Sequence, residues 1–138
     1  MLTKECDYAI RIVRCLSDRH RKTVEAISTA EFIPHQYAYK ILKKLENAEF
    51  VKGIRGRDGG YRLIKPLDTF TIYDVVIAID KNMLVHECLR TSHVCPHKNA
   101  GKSSSCLVHN EFGRIQEIFS SELMRNSMQN ILMPEGKE

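Results

Sequence analysis

The sequence holds no tryptophan, only four prolines, and no run of apolar residues long enough to cross a bilayer as a helix. The amino-terminal stretch MLTKECDYAIRIVRCL carries acids where a signal peptide needs an apolar segment, so the expected localisation is cytoplasmic, with no membrane partner. A disulfide framework is also missing. Five cysteines is an odd count, and thiols in the cytoplasm stay reduced. No Cys-x-x-Cys pair occurs, which speaks against a paired-thiol zinc ribbon and against a thiol oxidoreductase. Nothing in the pattern marks a substrate pocket, and an enzyme is not expected. At 138 residues the chain has room for one core of ordinary size with an appended helix, but not for two large domains.

What is present is unevenly distributed. Eight of the lysines and arginines fall between Lys40 and Lys65 against three acids, which leaves the rest of the chain close to neutral. A concentrated basic block can hold a phosphate backbone by displacing its counterions, whereas the same charge spread evenly mainly serves solubility.

Helical periodicity organises the first third. From Asp7 to about Leu16, the residues Tyr8, Ile12, Cys15 and Leu16 share one face, and Asp7, Arg11, Arg14 and Asp18 share the other. A second helix follows Thr23 as cap, with Val24, Ile27 and Ala30 inward. In the third, Pro34 suits the first turn, and Ala38, Ile41, Leu42 and Leu45 follow the i, i+3, i+4, i+7 pattern. Its opposite face carries Gln36, Tyr39, Lys40, Lys43 and Lys44, with Tyr37 beside them: amide, phenol and ammonium groups that can reach base edges and phosphates. Two helices joined by a short turn, the second with such a face, describe a helix-turn-helix. The runs FVKGI and YRLIK then have strand character and flank RGRDGG, whose paired glycines allow the positive dihedrals of a hairpin tip. This hairpin reads as a wing, with Arg55 and Arg57 available to a minor groove.

Beyond Pro66, Thr71 and Asp74 form a capping-box pair for a helix with Ile72, Val75, Val76 and Ile79 inward. From Glu111 to about Leu132 the spacing predicts one helix of roughly 33 Å. Its apolar residues include Phe112, Ile115, Ile118, Phe119, Leu123, Met128, Ile131 and Leu132. So much apolar surface on an extension is best covered by a second copy, giving a homodimer suited to a two-fold double-stranded DNA operator. The expected fold is therefore mainly α with a small β-hairpin wing. It consists of a winged helix-turn-helix DNA-binding domain over 1–80, a cysteine-rich loop over 81–110, and a long C-terminal dimerisation helix and tail over 111–138.

The loop contains Cys88, Cys95 and Cys106, with six and then ten residues between them, and His109 close behind. Three soft sulfurs and one nitrogen or oxygen donor can hold either zinc or an iron-sulfur cluster, and the spacing leaves both open. Cys15 reads as a small buried thiol and Cys6 as an unpaired one near the terminus.

The run LTKECDYAIRIV, then ILKKLENAEFVKGIRGRDGGYRLIKPLDTFTIYDVV, then a cysteine-bearing loop and a terminal helix, resembles the Rrf-two family of bacterial transcription regulators over nearly the whole chain. RGRDGGYRL, Pro66 and TIYDVV carry the most specific part. The resemblance implies a dimeric winged-helix DNA-binding regulator, a repressor by expectation. Its IscR-like and NsrR-like members imply that Cys88, Cys95 and Cys106 hold an iron-sulfur cluster of 2Fe-2S or 4Fe-4S type. The fourth ligand implied is either His109 or Asp7 of the partner subunit. Operator affinity would then report nitric oxide, redox or iron-sulfur status. The competing expectation is a zinc-stabilised structural or adaptor protein whose loop binds a partner enzyme.

Overall fold

The structure is a computed structural model, and it describes residues 2–101 and 105–135. Helix α1 (Lys4–Cys15) starts three residues earlier than its periodicity suggests because Thr3 caps it, accepting a hydrogen bond from the Cys6 N–H at 3.3 Å. Glu5 and Asp7 in the first turn and Arg14 in the last complement the helix dipole. One face buries Cys6, Tyr8, Ala9, Ile12 and Val13.

Helix α2 (Val24–Glu31) is capped by Thr23 as expected, and buries Ile27. Ala30 is exposed, contrary to the inward placement read from its spacing. The helix is only two turns long, and Ile33, beyond the turn that ends it, takes the core position instead. In α3 (His35–Asn47), Ala38, Ile41, Leu42 and Leu45 are all buried, while Pro34 stands just outside the helix rather than in its first turn.

The hairpin pairs β1 (Val51–Ile54) with β2 (Gly60–Leu63) in register Val51↔Leu63 through Ile54↔Gly60. Val51, Tyr61 and Leu63 point into the core, and Lys52 and Arg62 point out. The positive dihedrals fall on Gly56 and Gly60, not on the adjacent pair Gly59 and Gly60. At Gly60 a side chain would collide with the Lys22 carbonyl, because Lys22 and Tyr61 exchange backbone hydrogen bonds of 2.9 and 2.8 Å and extend the hairpin by a third edge. Phe50 and Phe70 meet edge to face at 5.0 Å beneath it.

Helix α4 (Ile72–Ile79) carries the complete Thr71–Asp74 capping box and buries Val75, Val76 and Ile79 against α1 and α3. A chain segment with a 3₁₀ turn at Glu87–Leu89 and the short helix α5 (Pro96–Asn99) leads to α6 (Leu107–Met124) and α7 (Met128–Leu132).

The single C-terminal helix expected over 111–132 is thus two helices. The first begins earlier, capped by Cys106, and spans about 27 Å. The break falls at Arg125 to Ser127, where Ser127 restarts the helix by accepting from the Asn130 N–H at 3.2 Å. Ser127 also bridges to Thr71, the Met128 N–H donates to the Phe70 carbonyl at 2.9 Å, and the Met128 side chain is fully buried. Helix α7 therefore packs back on the domain, and α6 lies against α4 with Phe119 and Leu123 on the core.

Candidate nucleic-acid interface and cysteine cavity

The exposed face of α3 carries Gln36, Tyr37, Tyr39, Lys40 and Lys43, with Lys44 half-buried at its edge. These six residues do not share one situation. Lys40 and Lys44 both reach Glu5 on α1, at 3.1 and 2.8 Å, and these bonds, that from Lys44 foremost, hold the Glu5 carboxyl below its ordinary range. Tyr37 meets Tyr8 edge to face at 6.0 Å. Lys43 lies within 5.9 Å of the Tyr61 ring and 5.6 Å of the Tyr39 ring, and the Tyr61 hydroxyl beside it raises its pKa further. Lys43, which also meets Glu46 at 3.5 Å, thus lies on the hairpin side of the helix.

Between α3 and the hairpin lies a groove of about 450 Å³ lined by Lys43, Glu46, Arg55, Arg57 and Tyr61 among others. Glu46, an acid inside the basic block, accepts from the Gly53 N–H at 2.6 Å and so ties the wing to the recognition helix. Gly53 has to be glycine for this, since a side chain would meet that carboxylate. Arg55 and Arg57 stand exposed at the wing tip, and neither has an ion-pair partner among the described residues. On the outer face of the hairpin Lys52 sits directly across from Arg62. Like charges in register repel across a sheet, so this pair adds nothing to internal stability.

Two supports of this surface were not legible from local pattern. Arg21 donates to the Gly59 carbonyl at 2.7 Å and braces the wing tip, and Arg19 reaches the carbonyls of Ile64 and Lys65 at 3.4 Å. All three bonds join residues far apart in sequence, and no periodicity announces them.

At the other end, Cys88, Cys95 and Cys106 line one cavity of about 470 Å³ together with His86, His93, His97 and His109. Cys88 and Cys95 are half-buried and Cys106 is exposed. The cavity is attached to α6 at two points. The Gln116 side chain accepts from the Val85 N–H at 2.7 Å and donates to the Met83 carbonyl at 3.3 Å, and His86 stacks on Phe112 at 4.6 Å with the rings 2° from parallel. The Cys106 sulfur accepts from the His109 N–H at 3.4 Å, which places His109 in the first turn of α6.

The structure brings the three cysteines and His109 to one cavity but not to common ligating distance. Among the described residues no three His, Cys, Asp or Glu side chains are grouped closely enough to hold a metal ion. Asp7 is not part of the cavity wall within one chain; it pairs with Arg11 at 2.8 Å on the exposed side of α1. Cys6 is buried in the core, where it receives the Thr3 hydroxyl at 3.2 Å, and burial pushes the Cys15 thiol up. In donor chemistry the cavity suits either zinc or a thiolate-bound iron-sulfur cluster, because three cysteines and several histidines line one space.

Comparison with known proteins agrees with this architecture. The family profile described as Rrf2, iron-dependent transcriptional regulator, matches residues 2–134. The chain is 31% identical over 130 residues to an rrf2-like HTH-type transcriptional regulator of Rhodobacter capsulatus, covering 90% of this chain and 85% of that protein. It is 32% identical over 98 residues to protein aau3 of Rhizobium meliloti, covering 69% of this chain and spanning 64% of that relative's length. Among solved structures, CymR, the global cysteine regulator of B. subtilis, superposes with a TM-score of 0.72 at 21% identity over 96% of this chain and 95% of its own. The IscR of T. potens superposes with a TM-score of 0.72 at 14% identity, over 96% and 85%. No helix among the described residues is long and apolar enough to cross a membrane. With the winged helix, the basic surface and the full-length profile match in agreement, the chain belongs to the Rrf2 family of DNA-binding transcriptional regulators.

Proposed function

We propose that this protein is an iron-sulfur-dependent repressor that binds a double-stranded operator as a homodimer, and that the occupancy of its cysteine cavity sets operator affinity. The observation that carries the reading is the convergence of Cys88, Cys95, Cys106 and His109 on one cavity fastened to α6. Helix α3 supplies Gln36, Tyr37, Tyr39, Lys40, Lys43 and Lys44 to the major groove, and the wing supplies Arg55 and Arg57 to the adjacent backbone or minor groove.

Cys88, Cys95 and Cys106 provide the thiolates, and the fourth donor is His109 or Asp7 of the partner subunit. A bound cluster supplies iron open to nitric oxide or oxygen. If a cluster is bound, His109 or Asp7 of the partner subunit would be its one non-thiolate donor, and that position would be the one most open to a signal. Drawing Cys88, Cys95 and Cys106 together pulls the segment from Val85 onward against α6, through Gln116 and the His86–Phe112 stack. Helix α6 carries Ile115 and Ile118 outward toward the second copy, so ordering its start fixes the spacing of the two α3 helices.

Anaerobic purification followed by visible absorption and by iron and sulfide analysis tests the reading. The expected result is a coloured protein whose operator affinity at fixed salt differs between iron-loaded and iron-free forms. A colourless protein with one zinc per chain, or equal affinities, overturns it. Retained DNA binding in the zinc form would leave the regulator without the sensor.

A further inference from the structure

Phe32 stands in the turn that joins α2 to α3, and folding does not account for it. Its side chain is 87% exposed, and it makes no aromatic or cation contact among the described residues. Its backbone lies at φ 54, ψ 43, the left-handed region where glycine is the ordinary occupant and a bulky residue is strained.

The turn is held in that conformation by its neighbours rather than by the ring. The N–H groups of Phe32 and Ile33 both donate to the Ser28 carbonyl, and the Ser28 hydroxyl returns a bond of 2.5 Å to the Ile33 carbonyl. The Ile33 side chain is buried, and Arg11 donates to the Glu31 carbonyl at 3.4 Å from the other side. A glycine at position 32 would make the same turn with less strain. A solvent-facing phenyl ring held in an unfavourable conformation that its surroundings enforce points to a use outside the fold.

The location narrows that use. Phe32 lies three residues before His35, the first residue of α3, and the exposed Gln36 follows. In a helix-turn-helix the start of the second helix meets the base edges. A phenyl ring there has no hydrogen bond to offer, and the major groove has one apolar feature to match it, the 5-methyl group of thymine. We infer that Phe32 is a specificity-determining residue that reads a thymine through its 5-methyl group at the edge of the α3 site. The inference rests on the proposal that α3 enters the major groove.

The test begins with a duplex selected from a random library by the full-length wild-type chain, purified anaerobically. Its thymines are replaced by deoxyuridine one at a time, and affinities are compared for wild type and Phe32→Gly. The wild type should lose about fourfold at one thymine in each half-site, the worth of one buried methyl group. F32G should lose nothing there, should relax selection at that position, and should unfold at a temperature no lower than wild type. An equal deoxyuridine penalty in both proteins overturns the inference while leaving DNA binding intact. So does a change in oligomeric mass on F32G with an unchanged penalty, which would make Phe32 a protein contact. A wild-type chain that selects no duplex at all removes the α3 reading, and this inference with it.

Discussion

Residues 2–83 and the described residues after them, 84–101 and 105–135, are built on different terms. Among the described residues every buried apolar side chain except Met128 lies at or before Met83. The first region closes on itself, with side-chain caps on α1, α2 and α4 and a wing tied down by Glu46, Arg21 and Lys22. The second leaves Val94, Leu107, Val108 and Ile118 facing solvent. This region packs on the core through Phe119, Leu123 and Leu132, and the proposed function gives its remaining surfaces two uses. In that reading the thiols around the cavity hold a bound group, and the outward apolar face of α6 meets a second copy. Under the proposed function, DNA binding is a property of the self-sufficient part and its control belongs to the other.

Met128 is the exception, so it offers the hardest test of the division. Met128→Ala should cost about 2–5 kcal/mol, the price of a cavity in a closed core. Ile118→Ala, half exposed on α6, should stay within about 0.5 kcal/mol for the isolated chain yet weaken self-association. Urea unfolding and sedimentation read the two effects separately. If M128A proves as mild as I118A, α7 is an appendage and the border between the regions lies before it.

The second test acts on the second region alone. Cys95→Ser should remove bound iron and change operator affinity by about 5- to 150-fold, the usual span of a coupling of 1–3 kcal/mol. The unfolding midpoint of the iron-free protein should not move, because Cys95 touches no part of the buried core. Iron content, fluorescence anisotropy with operator DNA and thermal unfolding check the three statements. A Cys95→Ser protein that keeps its iron would move the ligand set elsewhere in the cavity.

A third test loosens one tie inside the self-sufficient region. Glu46→Ala leaves the Gly53 N–H without its carboxylate acceptor and should cost about 1–2 kcal/mol. Hydrogen exchange should accelerate in β1 and β2 more than in α1 or α4. Uniform acceleration would mean that the wing is held by its Lys22–Tyr61 edge instead.

The same division governs how much the sequence discloses. In the first region short-range signals suffice: the apolar spacing of Ala38, Ile41, Leu42 and Leu45, the Thr71–Asp74 box and the strands flanking RGRDGG all appear where their pattern puts them. Its errors are local and come from tertiary competition, as when Ile33 displaces Ala30 from the core. In the second region the apolar pattern ran unbroken through Arg125 to Ser127, but Ser127 restarts the helix because Met128 finds a place in the core beside Phe70. Periodicity alone cannot distinguish a helix that continues from one that turns back. The cysteine spacing likewise permitted a shared site without specifying one. Only the fold shows all three lining one cavity, and only the fold shows Lys40 and Lys44 already held by Glu5.

That last pairing gives the smallest expected effect on stability and a sharp one on binding. Glu5 belongs to α1, yet it occupies two of the ammonium groups assigned to DNA phosphates. Its carboxyl is held below the ordinary 4.5 by the hydrogen bond from Lys44 and then by that from Lys40. A depressed folded-state pKa contributes stability that is complete above the unfolded value and is lost as pH falls through the folded one. Wild type should therefore lose this contribution in acid below about pH 4.5. Glu5→Gln should lack that acid-dependent loss, with a stability difference at neutral pH of only about 0.2–1 kcal/mol for so accessible a pair. In binding, removing the competing carboxylate should raise affinity for any duplex and steepen the dependence of log K on log salt by about 1–2 per chain, since two lysines become free to displace counterions. An unchanged slope would show that Lys40 and Lys44 serve the packing of α1 on α3. The DNA contact would then fall to Gln36, Lys43 and the wing arginines.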